Sequence, residues 1–278
     1  MLCFTTQCNG IYNRYSTDNW LEGIAGTVHE VGHGLYEQGR NADWDDLPVS
    51  RPLSMGVHES QSLFWERMVF QSRDFWVYAT PLVHKYFPHT KDCSVDDLYR
   101  YVNRVEPGFI RVDADEVTYP IHIILRFEME KQLFQTPNSC AGSDDAAAEK
   151  ALACLPQEWN AVMQSSLGLV VPSHREGVLQ DVHWPMGAFG YFPSYTLGAI
   201  MAVQLYNHAL LQLPEMRLQI QRGEFGPLRE HLRREVHQVG SLQASPDELL
   251  RQVTGEQMNP ALFIEYLEQK YRALYRLE

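Results

Sequence analysis

Basic charge is scarce in this chain: 23 lysines and arginines stand against 35 acidic residues, a formal net charge of −12. A nucleic-acid binder needs a positive surface to meet phosphates, and a membrane-surface protein needs a basic patch, so neither partner is expected. Cysteine is sparse too. The five cysteines (Cys3, Cys8, Cys93, Cys140 and Cys154) are odd in number, widely spaced and without a CxxC pair. That excludes a disulfide framework or a zinc ribbon and suits a reducing cytosol, so a cytoplasmic protein is expected. No apolar run reaches the roughly 18 residues of a transmembrane helix, and the first residues lack a secretory h-region. Repeats of fixed period are missing. Strand patterns are thin as well, the best being a weak alternation from Ile110 to Val117.

Helical periodicity fills the space these absences leave. With 278 residues and 45% hydrophobic content the chain can bury a sizeable core, and one catalytic domain is expected. Trp20, Leu21, Ile24, Val28, Val31 and Leu35 recur at three- and four-residue spacing and predict a helix from Asp18 to Gln38, with Ser16 or Asp18 as cap and Gly39 as its end. The same reading predicts helices over Val57–Tyr78, Tyr195–Leu213, Glu224–Val239, Pro246–Thr254 and Pro260–Leu277. The small, acidic stretch from Thr136 to Glu149 reads as an exposed loop. Arg229, Arg233 and Arg234 read as a solvated face. The fold class is therefore mainly α, with at most a few short strands near an active-site cleft.

The most informative segment is His29-Glu30-Val31-Gly32-His33. Two histidines at i and i+4 on a helix project from one face about one turn apart, so their ring nitrogens can converge on one zinc ion. A catalytic zinc keeps three protein ligands and an open position. Glu59, at the start of the second amphipathic segment, is the expected third ligand. Glu30 is then the general base, and the chemistry is hydrolysis of an amide bond in a zincin-like helical fold.

The flanks extend the pattern. TVHEVGHGLYEQG, VHESQSLFWE, FIRVDADEVTYPIHIILRFEME and GVLQDVHWPMGAFGYFPSYTLG, in that order, resemble the M32 metallocarboxypeptidases, the carboxypeptidase Taq group. The resemblance covers nearly the whole chain from about Arg14 onward. It implies a mostly helical fold, one zinc or cobalt ion per chain, removal of C-terminal residues from peptides, and a homodimer. It assigns metal binding to His29, His33 and Glu59 and the base to Glu30. The family's IRxxAD block falls on Ile110, Arg111, Ala114 and Asp115. Arg111 is thus the expected anchor for a substrate carboxylate, which a guanidinium grips with two parallel bonds; an ion pair with Asp113 or Asp115 is its structural alternative. The GxxQDxHW block falls on Gly177, Gln180, Asp181, His183 and Trp184. There His183 is a candidate oxyanion donor and Asp181 a candidate support for the metal ligands. Tyr191 and Tyr195 are further candidate donors to substrate, or else core aromatics.

The start of the chain departs from this pattern. The resemblance implies members about twice as long, with a helical N-terminal portion and a DxRxT block before the zinc helix. Here the Asp and Arg positions of that block fall on Cys8 and Gly10. Residues 1–15 thus read as a divergent segment and residues 16–278 as the catalytic domain, the C-terminal part of the family's longer chain. Two alternatives stay open: an aminopeptidase or endopeptidase on the same zinc chemistry, or a truncated, weakly active zinc-binding chain.

Overall fold

The computed structural model describes residues 10, 11, 13, 15, 16, 19–135 and 145–278. Eleven α-helices are present among the described residues, and no strand is. The zinc-motif helix, α1, spans Trp20–Gly39, and its cap is Asn19, whose side chain accepts from the Glu22 amide at 3.3 Å. Asn does this work as well as the expected Ser or Asp; Asp18 lies outside the described residues.

The single helix expected over Val57–Tyr78 is three pieces. Ser54 caps α2 (Met55–Leu63), a π-helix follows over Phe64–Phe70, and α3 covers Arg73–Tyr86. The wide turn closes where the Gln71 amide reaches back five residues to the Glu66 carbonyl at 3.0 Å. Ser72 then opens a new helix by accepting from the Phe75 amide at 3.2 Å. Apolar residues run through all three pieces, so hydrophobic spacing did not reveal the breaks. The capping hydroxyl was the local signal.

The chain forms two compact units, Met1–Asn103 with Leu197–Glu278, and Arg104–Thr196. In the first, α1 to α3 are joined by α4 (Val95–Val102), by α7 (Pro193–Gln212) from Leu197 on, and by α8 (Met216–Gln221), α9 (Gly226–Glu235), α10 (Pro246–Thr254) and α11 (Pro260–Tyr275). The α7 run Gly198–Leu205 is apolar on nearly every side, and all of it is buried, as a helix without a polar face must be. Two glycines set the spacing around α2. A Cβ on Gly32 would fall 2.6 Å from the Gln61 carbonyl oxygen and the Ser62 Cα, and one on Gly198 would fall 2.8 Å from the Glu59 Cβ. Both helices therefore lie against the backbone that carries Glu59, at a distance only glycine permits.

The second unit holds α5 (Tyr119–Gln135) and α6 (Asp145–Leu167), packed through Leu125, Met129, Leu155, Trp159 and Met163. The weak alternation from Ile110 to Val117 does not become a strand: Arg111–Asp113 is a 3-10 turn. Asp115 explains the outcome, because its Oδ1 accepts from the Val117 and Thr118 amides at 2.9 Å and turns the chain into α5. The loop expected through Glu149 also ends early. Its Ala-rich end has strong helix propensity and belongs to α6 from Asp145, while residues 136–144 lie outside the described residues. Cys93 and Cys154 are free thiols. Among the described residues, no helix is long and apolar enough to cross a membrane.

Candidate metal centre

In the first unit, α1 and α2 bring His29, His33 and Glu59 together. Their candidate ligand atoms all lie within 4.8 Å of one another, the one such group found among the described residues. His29 Nε2 is 3.5 Å from Glu59 Oε1, and His33 Nε2 is 3.7 Å from Glu59 Oε2. Glu59 and His33 are buried, and His29 is partly open.

The outer ring nitrogens fix what the inner ones can do. His33 Nδ1 lies 3.1 Å from the His58 carbonyl oxygen and 2.7 Å from His58 Nδ1. A carbonyl oxygen only accepts, so the His33 hydrogen sits on Nδ1 and Nε2 carries a lone pair. That lone pair faces the Glu59 carboxylate. Two electron-rich atoms so placed in a buried site call for a cation between them, and nitrogen with carboxylate oxygen is a donor set that suits a divalent metal such as zinc. Burial first, then the neighbouring His29 and His58, push the His33 pKa down to about 2, so its ring is neutral, as a ligand must be. His29 differs. Burial opposes its charge, but Glu59, Glu66 and Glu30 together outweigh that and raise its pKa to about 9. The site draws positive charge, and a metal ion would compete with that proton for Nε2.

Glu30 stands on α1 between the two histidines in sequence, half-buried. Its Oε2 is shielded from solvent and makes no hydrogen bond, which leaves a carboxylate oxygen available to take a proton.

The second unit gathers the other expected residues. Arg111 is buried, and its ion-pair partner is Asp181, at 2.9 Å from Nε, where the sequence pointed to Asp113 or Asp115. Its Nη1 donates to the Tyr119 hydroxyl at 3.1 Å, and its guanidinium lies 4.7 Å from the centre of the Tyr195 ring. Asp181 also accepts from the fully buried Arg126 at 2.6 Å. Both its oxygens are therefore taken by guanidiniums. Burial works against its charge, but Arg126 and Arg111 outweigh that and hold its carboxyl below the ordinary value. His183 stacks on Phe192 at 4.2 Å, meets the Tyr195 hydroxyl at 3.1 Å through Nε2, and has Tyr191 at 5.3 Å. Burial and the Arg111 charge keep His183 below its usual pKa, hence neutral at pH 7.

Several residues here escaped the sequence reading. Glu66 meets His29 Nδ1 at 2.7 Å; its signal was its place seven residues after Glu59, close to the same helix face. Glu37 meets His58 Nε2 at 3.0 Å and stands four residues after His33. Arg126 was legible only as a lone cation in the apolar run IHIILRF. Glu130 accepts from Trp184 Nε1 at 2.9 Å and from the Gly190 amide at 3.0 Å, and so ties down the loop carrying His183; nothing local announced it.

Comparison with known proteins meets this geometry from outside. Residues 3–271 match the sequence model of the carboxypeptidase Taq (M32) metallopeptidases. Carboxypeptidase 1 of Bacillus subtilis is 41% identical over 268 residues, which cover 96% of this chain and 51% of that protein. Thermostable carboxypeptidase 1 of Thermus thermophilus is 41% identical over 265 residues, covering 95% of this chain and 49% of that one. The crystal structure of the M32 carboxypeptidase from Deinococcus radiodurans superposes with a TM-score of 0.86 at 35% identity, covering 95% of this chain and 51% of that one. The chain spans about half the length of the curated relatives it matches. A match over nearly all of its own length, at this identity, makes the chain a member of the M32 family of metallopeptidases, a family whose name implies a bound metal ion.

Proposed function

We propose that this chain is a zinc-dependent carboxypeptidase that removes C-terminal residues from peptides. The observation that carries the proposal is the convergence of His29, His33 and Glu59, with the uncommitted carboxylate of Glu30 on the same helix. A divalent ion held by the three, one per chain with zinc the expected metal and cobalt a possible substitute, would polarise the scissile carbonyl and acidify a water molecule. Glu30 takes a proton from water as the water oxygen adds to the scissile carbonyl, and gives that proton to the amine as the C–N bond breaks. Arg111 binds the substrate's terminal carboxylate, and neutral His183, with Tyr191 and Tyr195 beside it, donates to the oxyanion. Asp181 holds Arg111 in place. Residues 16–278 make up the catalytic part; the resemblance to the family implies a homodimer, and the sparse, widely spaced cysteines suit the cytoplasm.

A second reading, a chain that binds metal but turns over slowly, is favoured by one observation. Two nitrogens of Arg111 are already engaged, by Asp181 and Tyr119, and the residue is buried. Metal analysis combined with hydrolysis of N-blocked dipeptides separates the readings. Stoichiometric zinc with release of the C-terminal residue supports the carboxypeptidase. Zinc without turnover supports the second reading, and no zinc at all removes both.

A further inference from the structure

The hydrogen-bond chain behind His33 goes further than the ligands. With the His33 hydrogen on Nδ1, His58 Nδ1 at 2.7 Å shares it with the His58 carbonyl oxygen as a second acceptor, which puts the His58 hydrogen on Nε2. That Nε2 faces Glu37 Oε1 at 3.0 Å, and the second oxygen of Glu37 is held by Arg40 Nη2 at 2.6 Å. Glu37 and His58 are 4% and 5% exposed, so water does not compete for these bonds. On the other side, Glu66 accepts directly from His29 Nδ1. The two histidines of the motif are thus supported differently, one by a carboxylate and one by an imidazole that relays a carboxylate.

We infer that Glu37 and His58 are positioning residues that lock His33 in the Nδ1–H tautomer and, through the relay, raise the basicity of its Nε2 toward the metal. The inference rests on the metal-centre reading above. A carboxylate partner on a ligating histidine fixes its ring orientation and strengthens it as a ligand, and its loss typically weakens metal binding about 10- to 100-fold. A relay of this kind needs a buried path in which each contact pairs a donor with an acceptor, and the contacts Arg40 Nη2 to Glu37, Glu37 to His58 and His58 to His33 meet that requirement.

The experiment measures zinc affinity by competition with a chromogenic chelator for the full chain and for Glu37→Ala, Glu37→Gln and His58→Leu, with the visible spectrum of the cobalt-loaded forms. Glu37→Ala and His58→Leu should bind about 10- to 100-fold more weakly, with Glu37→Gln, which keeps an acceptor but no charge, in between. The cobalt bands should change in intensity, and the nitrogen chemical shifts of the metal-free variants should show His33 losing its fixed Nδ1–H tautomer, a change specific to the relay. Unchanged affinity and spectrum in folded variants overturn the relay while leaving the metal centre standing. Failure of the unmodified chain to bind zinc overturns the metal-centre reading itself. Should the variants misfold, nitrogen chemical shifts of the histidines in the unmodified, metal-free chain decide: Nδ1–H on His33 with Nε2–H on His58 upholds the relay, and the reverse tautomers sink it.

Discussion

Gly32 of α1 lies so close to Ser62 of α2 that a Cβ placed on it would fall 2.6 Å from the Ser62 Cα. The glycine is one of the two unspecified positions of the HExxH motif, and its lack of a side chain sets the distance between the histidine helix and the glutamate helix. Overpacking a tight contact typically costs about 1–3 kcal/mol, because backbone has to move. Gly32→Ala should therefore lose about that much stability in a denaturant titration. Its zinc affinity should fall in parallel. An alanine variant with unchanged midpoint and affinity would show that the two helices can part freely.

Glu30→Gln separates binding from chemistry. An amide can hold a water molecule but cannot take its proton, so the variant should keep its zinc while kcat drops about 10²- to 10⁴-fold. His33→Ala should lose the zinc as well. Full turnover in a metal-replete Glu30→Gln sample, measured on an N-blocked dipeptide, would remove Glu30 as the base.

The direction of cleavage rests on Arg111. If its guanidinium binds the substrate's terminal carboxylate, amidation of that terminus leaves a buried cation facing a neutral group, a loss of about 1–3 kcal/mol. Peptides with free C-termini should then be trimmed one residue at a time, and amidated ones should resist. Arg111→Lys keeps the charge but not the paired geometry, so it should raise KM and lower kcat/KM. Equal cleavage of free and amidated peptides would point to an endopeptidase.

Asp181 links stability to acid. Its folded pKa is depressed by Arg126 and Arg111, so its contribution to stability is complete above the unfolded aspartate value of about 3.9 and is lost as pH falls through the lower, folded value. Asp181→Asn strips the charge from between two buried guanidiniums, a change that costs about 3–5 kcal/mol at neutral pH. Denaturant midpoints should therefore differ clearly at pH 7 and converge as the pH drops below 4. A constant gap down to strongly acid pH would contradict this assignment.

The sequence by itself determined the helix that carries the motif and the face on which His29 and His33 lie. Pro246–Thr254 was also legible to the residue. These features are local: a 3.6-residue period, a capping side chain and a five-residue motif repeat the same information within a few turns. The rest depended on which surfaces pack together. Spacing did not show that a π-helix interrupts the second segment, because its apolar residues continue past the break. Nor did it pair Arg111 with Asp181, 70 residues away, when Asp113 and Asp115 stood nearer in the chain. The support of His33 by His58 and Glu37 joins residues 25 and 21 positions apart through hydrogen bonds that exist only once Gly32 has let α1 settle against α2. A sequence states which face a helix offers. What that face meets, and at what distance, is decided when the chain has packed.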